Sequence, residues 1–157
     1  MQNENYFNAY ITAKIKHMGK SYKVVKTSDR FKLGMPDWLL FHRGNAVAVE
    51  AKFVKTRKKK GNVLTHKLSG SQQTALQSFT HAGVPGWVLL GIADEKGMYL
   101  IPPQEFVDGQ LRWEFFNTAW YWFSFSDVDL MVCHLFYNGG CREYKSVDDE
   151  IREPTEG

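Results

Sequence analysis

Asp37, Glu50 and Lys52 stand in GMPDWLLFHRGNAVAVEAKF, residues 34–53, a stretch otherwise composed for burial. Charged side chains enter a core only when paired or holding a metal, because desolvating an isolated charge costs more than packing returns. Two carboxylates suit a hard divalent ion such as Mg2+, with Mn2+ as its substitute, which takes oxygen ligands and bridges readily to a phosphate. An ion held there neutralises charge developing on a phosphoryl group and acidifies a bound water, which becomes the nucleophile. An ammonium beside it orients or deprotonates that water, or stabilises the developing charge; the residue types leave all three open. The competing reading is a salt bridge on a sheet face, since Glu-x-Lys alone is common in strands. Asp37, directly after Pro36 and 13 residues before Glu50, makes the combination more specific.

These residues need strands to bring them together. PDWLLF (36–41) and NAVAVEAKFV (45–54) read as two, joined by a tight turn through Arg43, Gly44 and Asn45. Side chains two apart in a strand share a face, so Glu50 and Lys52 point together with Ala46 and Ala48, while Val47, Val49, Ala51 and Phe53 point the other way. Around this pair, residues 3–18 have helical spacing and SYKVVKT (21–27) reads as a strand. TRKKKGNVLTHK reads as a loop, and Ser69 or Ser71 caps a helix carrying Leu76 and Phe79 that stops at Gly83. Residues 87–93 and 97–102 form a hairpin. The resulting order is α-β-β-β-α-β-β, an α/β chain of the α+β kind with helices on a mixed sheet. Eight aromatics between Trp113 and Phe125, and then DLMVCHLFY, read as further strands in an extension over 111–145, and the acidic tail 146–157 as frayed.

With 157 residues, 43% of them hydrophobic, the chain fits a single globular domain over 1–157. No apolar run approaches the ~20 residues of a membrane span, and the polar start MQNENY lacks the regions of a signal peptide, so an intracellular, cytoplasmic protein without a membrane partner is expected, of plausibly viral or prokaryotic origin. Cys133 and Cys141 form no CxxC pair and read as ordinary thiols, and the five histidines show no paired spacing. The net charge of +3 hides an asymmetry: residues 1–70 carry 15 Lys and Arg against four acids, a balance of +11, and residues 71–157 carry five against 13, a balance of −8. A basic half in an otherwise acidic chain points to a polyanion, nucleic acid above all.

The pattern of "PD" with "EAK" beginning 13 positions after Asp37 resembles the active site of the PD-(D/E)xK nuclease superfamily, and within it the chain is similar to archaeal-type Holliday junction resolvases and viral replication-repair nuclease domains. The resemblance spans about residues 2–103 and implies a restriction-endonuclease-like α-β-β-β-α-β core, with the C-terminal strands as additions. By position it implies Asp37 and Glu50 as metal ligands, the Ala51 carbonyl as a third, and Lys52 as the catalytic lysine. Glu4 on the first helix matches a glutamate that completes the metal shell, and Ser28 a polar active-site position. LSGSQQTALQSF matches the family's second-helix pattern and selects Gln72 over Gln73 as the residue that touches the scissile phosphate or a metal-bound water. It implies a Mg2+-dependent DNA endonuclease acting in recombination or repair, with another nuclease target or a non-catalytic DNA-binding module as the alternatives.

Lys55, Arg57, Lys58, Lys59 and Lys60 follow the catalytic strand directly and, with Arg30 and Lys32, are expected to contact the DNA backbone. Lys14, Lys16, Lys20, Lys23 and Lys26 could extend that tract. No helix-turn-helix or zinc finger is present to read bases, which favours recognition of branched DNA by shape. Cutting two opposed strands of a junction calls for two sites related by a two-fold axis, so a homodimer is expected, with the aromatics of 113–125 at its interface, packing within the monomer or a stacking platform for unpaired bases being the alternatives.

Overall fold

The computed structural model describes residues 3–27, 34–57, 68–117 and 121–137. Helix α1 (Glu4–Lys16) is followed by strands β1 (Tyr22–Lys26), β2 (Trp38–His42) and β3 (Asn45–Val54). Helix α2 (Gly70–His81) then leads to β4 (Gly86–Ile92) and β5 (Gly97–Ile101), and the chain continues through two short 3-10 turns, β6 (Trp122–Ser124) and α3 (Val128–Tyr137). The strands lie in chain order in one six-stranded sheet. Only β3 and β4 run parallel, because α2 is the crossover that joins them.

Each boundary has a local cause. Asn3 caps α1, its Oδ1 accepting from the Tyr6 N–H at 2.8 Å. Arg43 and Gly44 both hold positive φ, 48° and 80°, which closes the β2–β3 hairpin in the sense that matches strand twist. The central strand β3 alternates as expected but is covered on both sides. Val47, Val49, Ala51 and Phe53 meet α1 and α3, whereas Ala48 and Val54 meet the residues under α2, including Leu76, Val88 and Leu90. Glu50 and Lys52 share the α2 side and are both buried.

The C-terminal region corrects the expectation of further strands. Residues 113–117 form a 3-10 turn, β6 has three residues, and 128–137 is a helix. Its buried residues Val128, Met131, Val132 and Leu135 repeat at the i, i+3, i+4, i+7 positions of one helical face against α1 and the sheet. That period is present in the sequence, with Asp127 just before it as a starting signal. An almost entirely apolar run obscured it, because strand and helix readings then fit equally. Cys133 is disulfide-bonded rather than the ordinary thiol expected. The acidic tail lies outside the described residues. No helix among the described residues is long and apolar enough to cross a membrane.

Candidate active site

Asp37 sits one residue before β2, where the β2–β3 ladder ends at the Trp38–Val49 pair. Beyond that pair β3 continues without a β2 partner, and the Asp37 side chain takes the missing partner's place: its Oδ2 accepts from the Ala51 N–H at 2.8 Å. In an extended strand the carbonyl of a residue lies on the same side as its N–H, so the Ala51 carbonyl also faces the space beside Asp37. Three features hold Asp37 there. Thr27 at the end of β1 donates its N–H to the Asp37 carbonyl at 3.1 Å, and its hydroxyl donates to the Pro36 carbonyl. Gly34, at φ 81°, passes so close to α2 that a Cβ would lie 2.5 Å from the Ser71 backbone. The role of Thr27 was not legible, since nothing in a strand's last residue announces a tertiary hydrogen bond.

Glu50 is the buried member of the acidic cluster. It is 2% exposed, and its Oε1 accepts from Gln72 Nε2 at 2.7 Å. Its Oε2 is buried and meets no hydrogen-bond donor among the described residues. Burial, followed by the nearby Asp37 carboxylate, pushes its pKa up to about 8; Glu4 adds to the rise, while Lys52 and the Asp37 backbone N–H oppose it. Carboxylate oxygens of Glu4, Asp37 and Glu50 all lie within 4.8 Å of one another, so α1, the start of β2 and the middle of β3 each contribute one. Lys52, two residues along β3 from Glu50, shares its face and is 8% exposed.

An all-oxygen donor set of this kind fits a hard divalent cation. The arrangement without one is costly: a second carboxylate faces a carboxylate whose free oxygen is shut away from water. A cation among the three removes both penalties.

Gln72 is neither a solvated residue nor interchangeable with its neighbour. Gln73 Nε2 donates to the carbonyls of Pro103 and Phe106, at 2.9 and 3.0 Å, and thereby ties α2 to the turn after β5. Ser69, not Ser71, is the cap of α2, and Gln72 completes its capping box.

The expected DNA contacts divide. Ser28, Arg30, Lys32, Lys58, Lys59 and Lys60 lie outside the described residues. Lys55 is exposed just past β3. Arg57 turns inward: its guanidinium lies 4.5 Å from the Trp113 ring centre and 4.2 Å from that of Phe116, and its Nε is 2.9 Å from Glu95. The cause is the aromatic extension, which offers the guanidinium two ring faces and a carboxylate, while the Arg57 side chain stays 24% exposed. Lys26 pairs with Trp38, next to Asp37, whereas Lys23 pairs with Phe41 toward the other end of β2. Lys14 lies ten residues along α1 from Glu4, about 15 Å away at the helical rise.

No protein-family model matches the sequence, and no curated protein matches it. Among solved structures, the chain is similar to Hjc, a Holliday junction resolvase from the archaeal hyperthermophile Archaeoglobus fulgidus, with a TM-score of 0.52 at 16% identity, covering 69% of this chain and 85% of that one. It is also similar to a VRR_NUC domain, with a TM-score of 0.42 at 22% identity, covering 59% of this chain and 87% of that one. The first likeness shows the restriction-endonuclease-like fold that the sequence resemblance implied, with the mixed six-stranded sheet and three helices described above.

Proposed function

We propose that this protein is a divalent-metal-dependent nuclease that hydrolyses phosphodiester bonds in DNA. The observation that carries the reading is the convergence of Glu4, Asp37 and Glu50 around one point, with Lys52 on the same strand face as Glu50. Asp37 and Glu50 would hold the cation, with the Ala51 carbonyl and Glu4 completing its shell, and Mg2+ or Mn2+ suits those oxygens. When bound, the ion supplies charge neutralisation at the scissile phosphate and a more acidic water. The chain's own groups do the rest. Asp37, locked by the Ala51 N–H, fixes the cation relative to β3. The Lys52 ammonium would lie beside the attacked phosphate, stabilising the charge that develops there and orienting the attacking water by donating a hydrogen bond to it.

Within this reading the favoured substrate is branched DNA, the four-way junction first. Support comes from the likeness in fold to a resolvase and from the absence, among the described residues, of an element that would enter a groove to read bases. Two-strand cutting of a junction then requires a pair of these chains. The test is to incubate the protein with Mg2+ and labelled four-way junction, duplex, flap, single-stranded DNA and RNA of matched sequence. Paired symmetric nicks in the junction at the highest rate are expected. Preferred cutting of RNA or of unbranched duplex would redirect the substrate assignment to another nuclease class, and no cutting of any form would remove the activity.

A further inference from the structure

We infer that Gln72 is a positioning residue that leaves Glu50 a single oxygen for the cation, and that the backbone N–H of Ser69 sets the direction in which the Gln72 amide points. The inference rests on the metal-site reading above and goes beyond the phosphate or water contact that the resemblance implies for Gln72. A carboxamide has an accepting end and a donating end of nearly equal size, so its direction is decided by its neighbours. The Ser69 N–H donates to Gln72 Oε1 at 2.9 Å, which commits the accepting end. The donating end, Nε2, is thereby aimed at Glu50 Oε1, 2.7 Å away. Flipping the amide would set its carbonyl against the carboxylate and its NH2 against the Ser69 N–H, replacing two hydrogen bonds by two repulsions.

The anchor is itself fixed. Leu68 is buried and donates its N–H to the Gly109 carbonyl at 2.9 Å, and Ser69 Oγ accepts from the Gln72 N–H at 3.1 Å. With Oε1 held by Gln72, the buried Oε2 is the oxygen left to face the cation. A carboxylate offering one oxygen suits the small octahedral Mg2+ or Mn2+, whereas Ca2+ readily takes both oxygens of a carboxylate. The Ser69–Gln72 pair therefore does more than start a helix: it biases the site toward the smaller ions.

The experiment measures Mn2+ and Ca2+ binding by calorimetry for the wild-type protein and for Gln72→Ala, Ser69→Ala, Ser69→Pro and Glu50→Gln. Ser69 has φ −68°, which proline adopts without strain, so Ser69→Pro and Ser69→Ala share the loss of the hydroxyl and differ in the N–H. Mn2+ affinity should fall roughly 10- to 100-fold in Gln72→Ala, the range for loss of a group that orients a metal ligand, and Ca2+ should weaken less, so that the Mn2+/Ca2+ preference narrows. Ser69→Pro should bind Mn2+ about 10-fold more weakly than Ser69→Ala, with thermal melts confirming that both fold. Gln72→Ala keeps the Ser69 Oγ cap, and so decides the positioning role of Gln72 even where the proline variant fails to fold, while equal Mn2+ affinity in folded Ser69→Pro and Ser69→Ala overturns the role of the Ser69 N–H. Mn2+ binding that depends on Glu50 but is unchanged by Gln72→Ala overturns this inference alone. Mn2+ binding indifferent to Glu50→Gln overturns the metal site, and the inference with it.

Discussion

Glu50 is held where an acid is least comfortable, and the metal-free protein should show it. An ordinary glutamate, the state in the unfolded chain, titrates near 4.5, and in the fold burial first and Asp37 second raise the value to about 8. The folded protein therefore binds more protons than the unfolded chain between those values, and its stability falls as pH rises across that window, by up to about 1.4 kcal/mol per pH unit, then levels off above it. Chemical denaturation of the chelated protein from pH 4.5 to 8.5 should show the decline. Glu50→Gln should flatten it and melt higher than wild type at pH 8, the mark of a residue kept for chemistry at the expense of stability. A stability that rises steadily with pH in the same window would contradict the burial-driven shift. At this scale the sequence was informative about charge in an apolar setting: Asp37, Glu50 and Lys52 announced themselves because nothing else in 34–53 explains them. It was silent on the pairing of Gln72 with Glu50, because a polar residue in a first helical turn has an ordinary place in solvent and its partner lies 22 residues away.

At the level of elements, the site depends on the loop that delivers Asp37 and on the segment leaving β3. Gly34→Ala would add a Cβ against the Ser71 backbone at a positive φ, so it should cost more than about 1 kcal/mol and weaken metal binding together with stability. Thermal melting with calorimetry on one sample checks both. Arg57→Ala should lower stability by roughly 1–2 kcal/mol through loss of the Trp113 and Phe116 ring faces and the Glu95 pair, and leave the logarithmic salt dependence of DNA binding unchanged. A shallower salt slope in that variant would mean that Arg57 leaves its aromatic setting to meet phosphate. The core elements through β5 were legible because period, caps and turns agreed, as at Arg43–Gly44 and Ser69. The inward pairing of Arg57 was not legible, because a run of like charges looks solvated until an aromatic partner, distant in sequence, supplies a reason to fold inward.

For the whole molecule, the described rings of the aromatic extension find partners within the chain while staying partly exposed. Phe125 meets Phe7 of α1, Tyr121 and Phe123 meet His134 of α3, Trp113 and Phe116 enclose Arg57, and Trp122 lies over Gly97 while remaining 44% exposed. Composition alone did not reveal these contacts, because the sheet's α1 face needed a second helix, and the reading of 129–137 as a strand left those rings without a layer to cover. The pairing of two chains is a proposal that rests on the geometry of a junction and on the partly exposed rings of this extension. Light scattering at micromolar concentration should give a dimer mass, and a strict monomer that nicks junctions one strand at a time would retain the nuclease while removing the resolvase. The most direct test of the account is Mg2+-dependent cleavage of labelled DNA by wild type and by Lys52→Ala at protein concentrations that saturate binding. Cleavage that chelation abolishes is expected, reduced by roughly 100-fold or more in Lys52→Ala while DNA affinity is kept. Cleavage by Lys52→Ala at the wild-type rate, or no metal-dependent cleavage by wild type, would contradict it.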